Sequence, residues 1–186
     1  GRRRYRVSGS GYAPLGEFLR DGTAVDLALE PAELRETLRA AAWCNDTVLE
    51  SRDGRYVVVG DPTEGALVVA AAKARVPSAG SPRLDEIPFE SENRYMATLH
   101  ADGDSNLILV KGSPETVLGF CDSELVGGET APLGREAVLA EAEDMAHEAL
   151  RVLGKAYKRV PKEQTRLTPD DLRGLTFLGL SGMMDP

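Results

Sequence analysis

Glu64, Phe89, Lys111 and Arg151 are the residues whose types and settings could do chemistry, each within a short polar segment. Glu64 lies in Gly60-Asp61-Pro62-Thr63-Glu64-Gly65. It completes a capping box begun by Asp61, and its carboxylate could also accept a hydrogen bond from the amino group of an adenine. Phe89 follows Pro88 at the end of an apolar run and precedes a polar turn that holds Arg94. Such a ring is either a core aromatic at a strand end or a platform in a cleft. Stacking a base on it is worth roughly 1–3 kcal/mol and needs no charge. Lys111 ends the run Leu107-Ile108-Leu109-Val110 and meets Gly112. A lysine there ordinarily guards an edge strand against aggregation. Gly112, however, removes the side chain beside it, so a ligand could approach closely. An ammonium in that half-apolar cleft could meet a base or a phosphate chain. Ser113-Pro114-Glu115 starts a helix nearby, and the free N–H groups of a helix start favour anions. Arg151 closes a helical pattern, where a cation suits the dipole, or it reaches for phosphate or ribose. Arg94 taken alone reads as a surface charge.

The elements that must position these residues follow from periodicity and turn chemistry. Residues 5–20 predict a hairpin around a Gly/Ser turn. Pro31 opens a helix with Leu34, Leu38 and Ala41 on its apolar stripe, running to Trp43. Tyr56 to Val59 is a short strand. Asp61-Pro62 starts a helix carried on by Leu67, Val68, Ala71 and Ala74. Pro77 to Pro82 is a loop. Leu84–Phe89, Tyr95–His100 and Asn106–Lys111 are strands, the last two joined by a turn at Asp102-Gly103-Asp104. Gly127-Gly128 is a loop, residues 135–153 form the longest helix, and Lys155–Val160 and Leu175–Leu180 are closing strands. Strands in adjacent hairpins with helices in blocks predict an α+β fold, a mostly antiparallel sheet flanked by helices, in a single domain over 1–186.

Composition narrows the chemistry. A net charge of −8 argues against a general nucleic-acid or anionic-membrane surface. The one basic cluster, Arg2-Arg3-Arg4, reads as a solvated end. Cys44 and Cys121 lie far apart and read as free buried thiols. Asn45-Asp46-Thr47 fits a glycosylation pattern that is common by chance. No segment approaches the roughly 18 apolar residues of a membrane span. There is no GxxxxGK[ST] loop, and Gly9-Ser10-Gly11 runs into a proline rather than a helix. His100 and His147 are isolated, so no metal site is expected, and no Ser or Cys has a neighbouring base, so no residue is assigned a catalytic role.

Taken in order, Gly60-Asp61-Pro62-Thr63-Glu64, Phe89-Glu90-Ser91-Glu92-Asn93-Arg94-Tyr95-Met96, Lys111-Gly112-Ser113-Pro114-Glu115 and Arg151-Val152-Leu153 resemble the motifs of the nucleotide-binding domain of type II P-type cation-transporting ATPases. The resemblance implies that Glu64 lies near the adenine amino group, Phe89 stacks on adenine and Lys111, with Gly112 beside it, lines the adenine cavity. It implies nucleotide contacts for Arg151 and Leu153. Where the family usually has lysine this chain has Arg94, which keeps charge but not geometry. The cofactor implied is ATP, as Mg-ATP in the full-length protein. The partners implied are the phosphorylation and actuator domains of the same polypeptide. The aspartate of the family's DKTGT motif is not in this chain, so the fragment is expected to bind nucleotide without turning it over. The location implied is the cytoplasmic side of an integral membrane protein. The ending Gly182-Met183-Met184-Asp185-Pro186 resembles the hinge to the phosphorylation domain and that of calcium-type pumps; a sodium, potassium or proton pump stays open. The alternative is an interaction or regulatory module that keeps the fold and has lost ATP binding.

Overall fold

The computed structural model describes residues 2–78 and 81–184. The segment expected to form the hinge, Asp185-Pro186, lies outside the described residues, as does part of the Pro77–Pro82 loop. The chain opens with β1 (Arg6–Val7), β2 (Phe18–Arg20) and β3 (Thr23–Ala24), a small antiparallel sheet that contains the expected hairpin and adds a third strand. Helix α1 (Ala32–Trp43) follows, then the hairpin of β4 (Val48–Arg52) and β5 (Arg55–Val59), then α2 (Pro62–Lys73). The remainder is β6 (Arg83–Glu90), β7 (Tyr95–Asp102), β8 (Ser105–Gly112), α3 (Pro114–Gly119), β9 (Cys121–Val126), β10 (Glu129–Pro132), α4 (Arg135–His147), β11 (Arg151–Val160) and β12 (Leu175–Met183). Seven strands form one sheet in the order β10-β9-β12-β11-β8-β7-β6. Every pair is antiparallel except β12 with β9. This is the expected α+β architecture.

Alternation along the central strands sorts the core into two layers. Met96, Leu107, Leu109 and Leu178 pack with Leu38 and Trp43 of α1, Cys44 at its end and Ala71 of α2. Tyr95, Ala97, Leu99, Ile108, Val110, Ala156 and Phe177 face the other way, against Val117 and Leu118 of α3 and Val138 of α4.

Three expectations are corrected. The last long helix stops at His147, not at residue 153. Ala149 turns left-handed (φ 61°), and the Leu150 N–H bonds back to the Met145 carbonyl at 3.2 Å. From Arg151 the chain is a strand with a neighbour on both sides, β8 and β12, and two ladders of hydrogen bonds outweigh a helical pattern. Second, β4, β9 and β10 are strands where the sequence reading assigned none, because their exposed faces hide the alternation. Third, Arg2 is no solvated end. Its guanidinium lies 4.7 Å from the Phe177 ring centroid and donates to the Leu178 carbonyl at 3.1 Å. Arg3 and Arg4 do stay near solvent, paired with Glu30 and Glu148.

Candidate nucleotide site

Helix α2 starts where the sequence says it should. The Asp61 carboxylate accepts from the N–H groups of Thr63 and Glu64 at 2.8 and 3.1 Å, and Pro62 occupies the first turn. Glu64, however, does not complete the expected capping box. Its carboxylate turns to Lys111, whose Nζ donates to Oε1 at 2.6 Å, while the other oxygen accepts from Thr47 Oγ1 at 3.4 Å. Thr47 Oγ1 in turn accepts from the Asp61 N–H at 3.2 Å, so a threonine hydroxyl takes the capping role. Asn45 holds the backbone of the same turn, donating to the carbonyls of Ala41 and Glu64 at 3.0 and 3.1 Å. Asn45 and Thr47 were legible in the sequence only as a glycosylation pattern; both are buried and serve the site.

Lys111 does not guard an edge. Strand β8 runs between β7 and β11, and the side chain is 4% exposed. Glu64 is 23% exposed, so the ion pair has a buried cation and a carboxylate that reaches the surface. The glycine after Lys111 also has a different reason from the one expected. A Cβ on Gly112 would stand 2.8 Å from Tyr95 Cβ and closer still to the Arg94 carbonyl, so strand packing alone requires glycine there.

Phe89 is 57% exposed and is therefore not a core residue. It lies on β6, the sheet's edge, at a register shift between Ile87 and Glu90. Bulges of this kind re-aim side chains. The following turn bonds the Arg94 N–H to the Glu90 carbonyl at 2.9 Å, and the Arg94 carbonyl accepts from the Ser113 N–H at 3.0 Å. Arg94 takes φ 60°, an uncommon conformation for its type. The turn after Phe89 is thereby tied to the Lys111-Gly112-Ser113 segment.

Arg151 begins β11 opposite Met183. Leu153, two residues on, packs against the cluster of Ala41 of α1, Leu67 of α2 and Met183. The structure therefore brings Glu64, Lys111 and Leu153 to the start of α2, and ties Arg94 and Gly112 together beside Phe89. Arg151 stands exposed at the strand's beginning, with the cation-at-helix-end explanation removed.

One residue of this layer was read only as the start of a strand. Lys155 is fully buried and lies directly opposite Lys111 across the β8–β11 pair. Its Nζ donates to Ser181 Oγ and, at 3.5 Å, to the Leu153 carbonyl. Burial pushes its amine well below the ordinary lysine range, and Lys111 acts in the same direction. Burial likewise pushes the Cys44 thiol up; its Sγ donates to the Met96 carbonyl at 3.4 Å. Among the described residues no group of three or more His, Cys, Asp or Glu is arranged to hold a metal ion.

Residues 33–186 match the family model of the P-type ATPase cytoplasmic domain N. A cation-transporting ATPase, pma1, of Synechocystis sp. is 47% identical over 196 residues, covering 100% of this chain and 22% of that protein. A probable cation-transporting ATPase F of Mycobacterium tuberculosis is 38% identical over 193 residues, covering 97% and 21%. A calcium-transporting ATPase of Bacillus subtilis is 33% identical over 195 residues, covering 100% and 22%. The chain spans about a fifth of the length of these relatives.

Proposed function

The chain belongs to the cytoplasmic N-domain family of P-type ATPases, and we propose that it holds ATP by its adenine and presents the γ-phosphate to an aspartate on another domain of the same polypeptide. The observation that carries this reading is the 2.6 Å pair between a buried Lys111 and a partly exposed Glu64, with Leu153 packed beside the start of α2. Glu64 keeps acceptor capacity on its exposed side, which suits the adenine amino group. Leu153 offers apolar surface to a base. Phe89 is an exposed ring held at an edge-strand bulge, and an exposed aromatic is what stacking requires. Arg94 and Arg151 are cations near the rim, suited to ribose or phosphate. ATP supplies the phosphoryl group; this chain's residues bind and orient it, and none is assigned a catalytic role.

In this reading residues 1–186 are one nucleotide-binding domain, with a hinge to the phosphorylation domain at Asp185-Pro186. The full-length protein is a cation-transporting ATPase using Mg-ATP, with the actuator and phosphorylation domains as partners. Its site is on the cytoplasmic side of a membrane protein; no helix among the described residues is long and apolar enough to cross a membrane. Calcium is the favoured cargo, since several relatives, the one of Bacillus subtilis among them, bear that name.

The test is an NMR titration of the domain with ATP, ADP and AMP. Stacking and a few polar contacts must offset several kcal/mol of lost freedom, so a dissociation constant on the order of 0.1–5 mM is expected, with all three nucleotides within about tenfold. Tight ATP binding with no binding of AMP overturns the adenine-centred arrangement.

A further inference from the structure

Lys155 lies where two lysines meet inside one protein layer. Directly opposed residues on antiparallel strands hold their Cβ atoms roughly 5 Å apart and on the same face, and Lys155 opposes Lys111 in this way. Both side chains enter the layer beneath α1 and α2. Lys155 is closed off from water more completely than Lys111, at 0% against 4%. Its other cross-strand neighbour is Gly179, where even a Cβ would meet Thr37 Oγ1 of α1 at 2.8 Å, so α1 sits directly on the strand.

The partners of the two amines differ in kind. Lys111 has the Glu64 carboxylate at 2.6 Å. Lys155 has a hydroxyl and a peptide carbonyl, both neutral. Of the charged and titratable groups acting on it, Lys111 comes from β8 and Cys44 from the end of α1; Glu64 of α2 meets Lys111 instead. A buried charge persists only with a counter-charge, and two adjacent ammoniums in a dry layer repel. One proton therefore suffices for the pair, and the carboxylate decides where it stays.

We propose that Lys155 is a positioning residue of the nucleotide site: an uncharged amine, opposite Lys111 and with no carboxylate partner among the described residues, that confines the positive charge of this layer to Lys111 and so keeps that ammonium on Glu64. The role in nucleotide binding rests on the reading of the site given above; the protonation state does not. The low proton affinity that burial imposes on Lys155 agrees with the arrangement. An exposed lysine in the unfolded chain titrates near 10.4. Between that value and the depressed folded one, unfolding takes up a proton at Lys155. Stability therefore rises with pH in that window and is lost as pH falls through it.

The experiment compares the wild-type domain with Lys155→Met and Lys155→Arg. Proton uptake on unfolding at pH 7.5 is measured by calorimetry in buffers of different ionisation enthalpy. Wild type is expected to take up about one proton more than Lys155→Met, and its unfolding constant to fall about tenfold more per pH unit around that pH. Contributions of His100, Lys73, Cys44 and Cys121 are common to both chains and cancel in the difference. Equal uptake in the two chains means that Lys155 is charged in the fold and overturns the proposal. Lys155→Arg places a permanent cation beside Lys111 and is expected to bind ATP at least about tenfold more weakly than Lys155→Met. A folded Lys155→Arg that binds ATP as well as Lys155→Met also overturns it. If Lys155→Arg does not fold, the proton count decides. A wild-type domain that binds no adenine nucleotide refutes the nucleotide reading, while the proton difference still decides the charge of Lys155.

Discussion

The two faces of the central sheet are built from the same strands and do different work. The face under α3 and α4 is apolar throughout its centre: Leu99, Ile108, Val110, Ala156 and Phe177 meet Val117, Leu118 and Val138. The face under α1 and α2 begins as a similar core around Leu107, Leu109 and Leu178, but toward the start of α2 it holds Lys111, Lys155, Glu64 and Thr47. Successive residues of β8 and β11 point to opposite faces, so one strand can supply a hydrophobic wall on one side and a charged floor on the other.

The largest expected effect is on the apolar face. Phe177→Ala removes a fully buried ring and should destabilise the domain by about 3–5 kcal/mol in urea unfolding, with nucleotide affinity of the folded fraction unchanged. A loss of affinity that tracks the mutation at full folding would show that the two faces are not separable. Next comes the polar face. Lys111→Ala strips Glu64 of its charged partner and leaves a hole in an interior strand. A cost of about 1–3 kcal/mol in stability is expected, because Glu64 can still turn to water, together with roughly tenfold weaker ATP binding. An unchanged unfolding curve would mean that the pair contributes nothing to the fold. The smallest effect on stability is expected at the rim. Phe89→Ala, on an exposed edge strand, should shift stability by no more than about 0.5 kcal/mol while ATP affinity falls by about 1–3 kcal/mol. Paired measurements of melting and ATP titration check this, and a clearly destabilised domain with unaltered affinity would show that the ring serves the fold and not the nucleotide.

How far the sequence could be read differs by element for physical reasons. The start of α2 was legible because Asp61 and Pro62 act through local geometry, and β7 and β8 because a Gly turn joins two apolar runs. The end of α4 was not legible. Met145, Ala149 and Leu153 continue a helical period, and only the places open beside β8 and β12 make residues 151–160 a strand. The same limit applied at the site. Glu64, Lys111 and Phe89 stood out by type and setting, but Lys111 read as an edge charge because strand order is invisible along the chain. Lys155 did not stand out at all, since a lysine between glycine and alanine has no local mark of burial.

By itself the sequence determined the local events: helix caps, turns, the alternation that divides the strands into two faces, and the order of motifs that resembles an ATP-binding domain. These depend on neighbours a few residues apart. Tertiary structure alone decided that β8 is interior, that Glu64 turns from its own helix cap to Lys111, that Phe89 is exposed, and that Lys155 faces Lys111. The pairings of Lys111 with Glu64 and with Lys155 join groups 47 and 44 residues apart, and the exposure of Phe89 follows from the place of β6 at the sheet's edge. Charge and burial act through space, so the chemistry of this floor exists only once the sheet has closed.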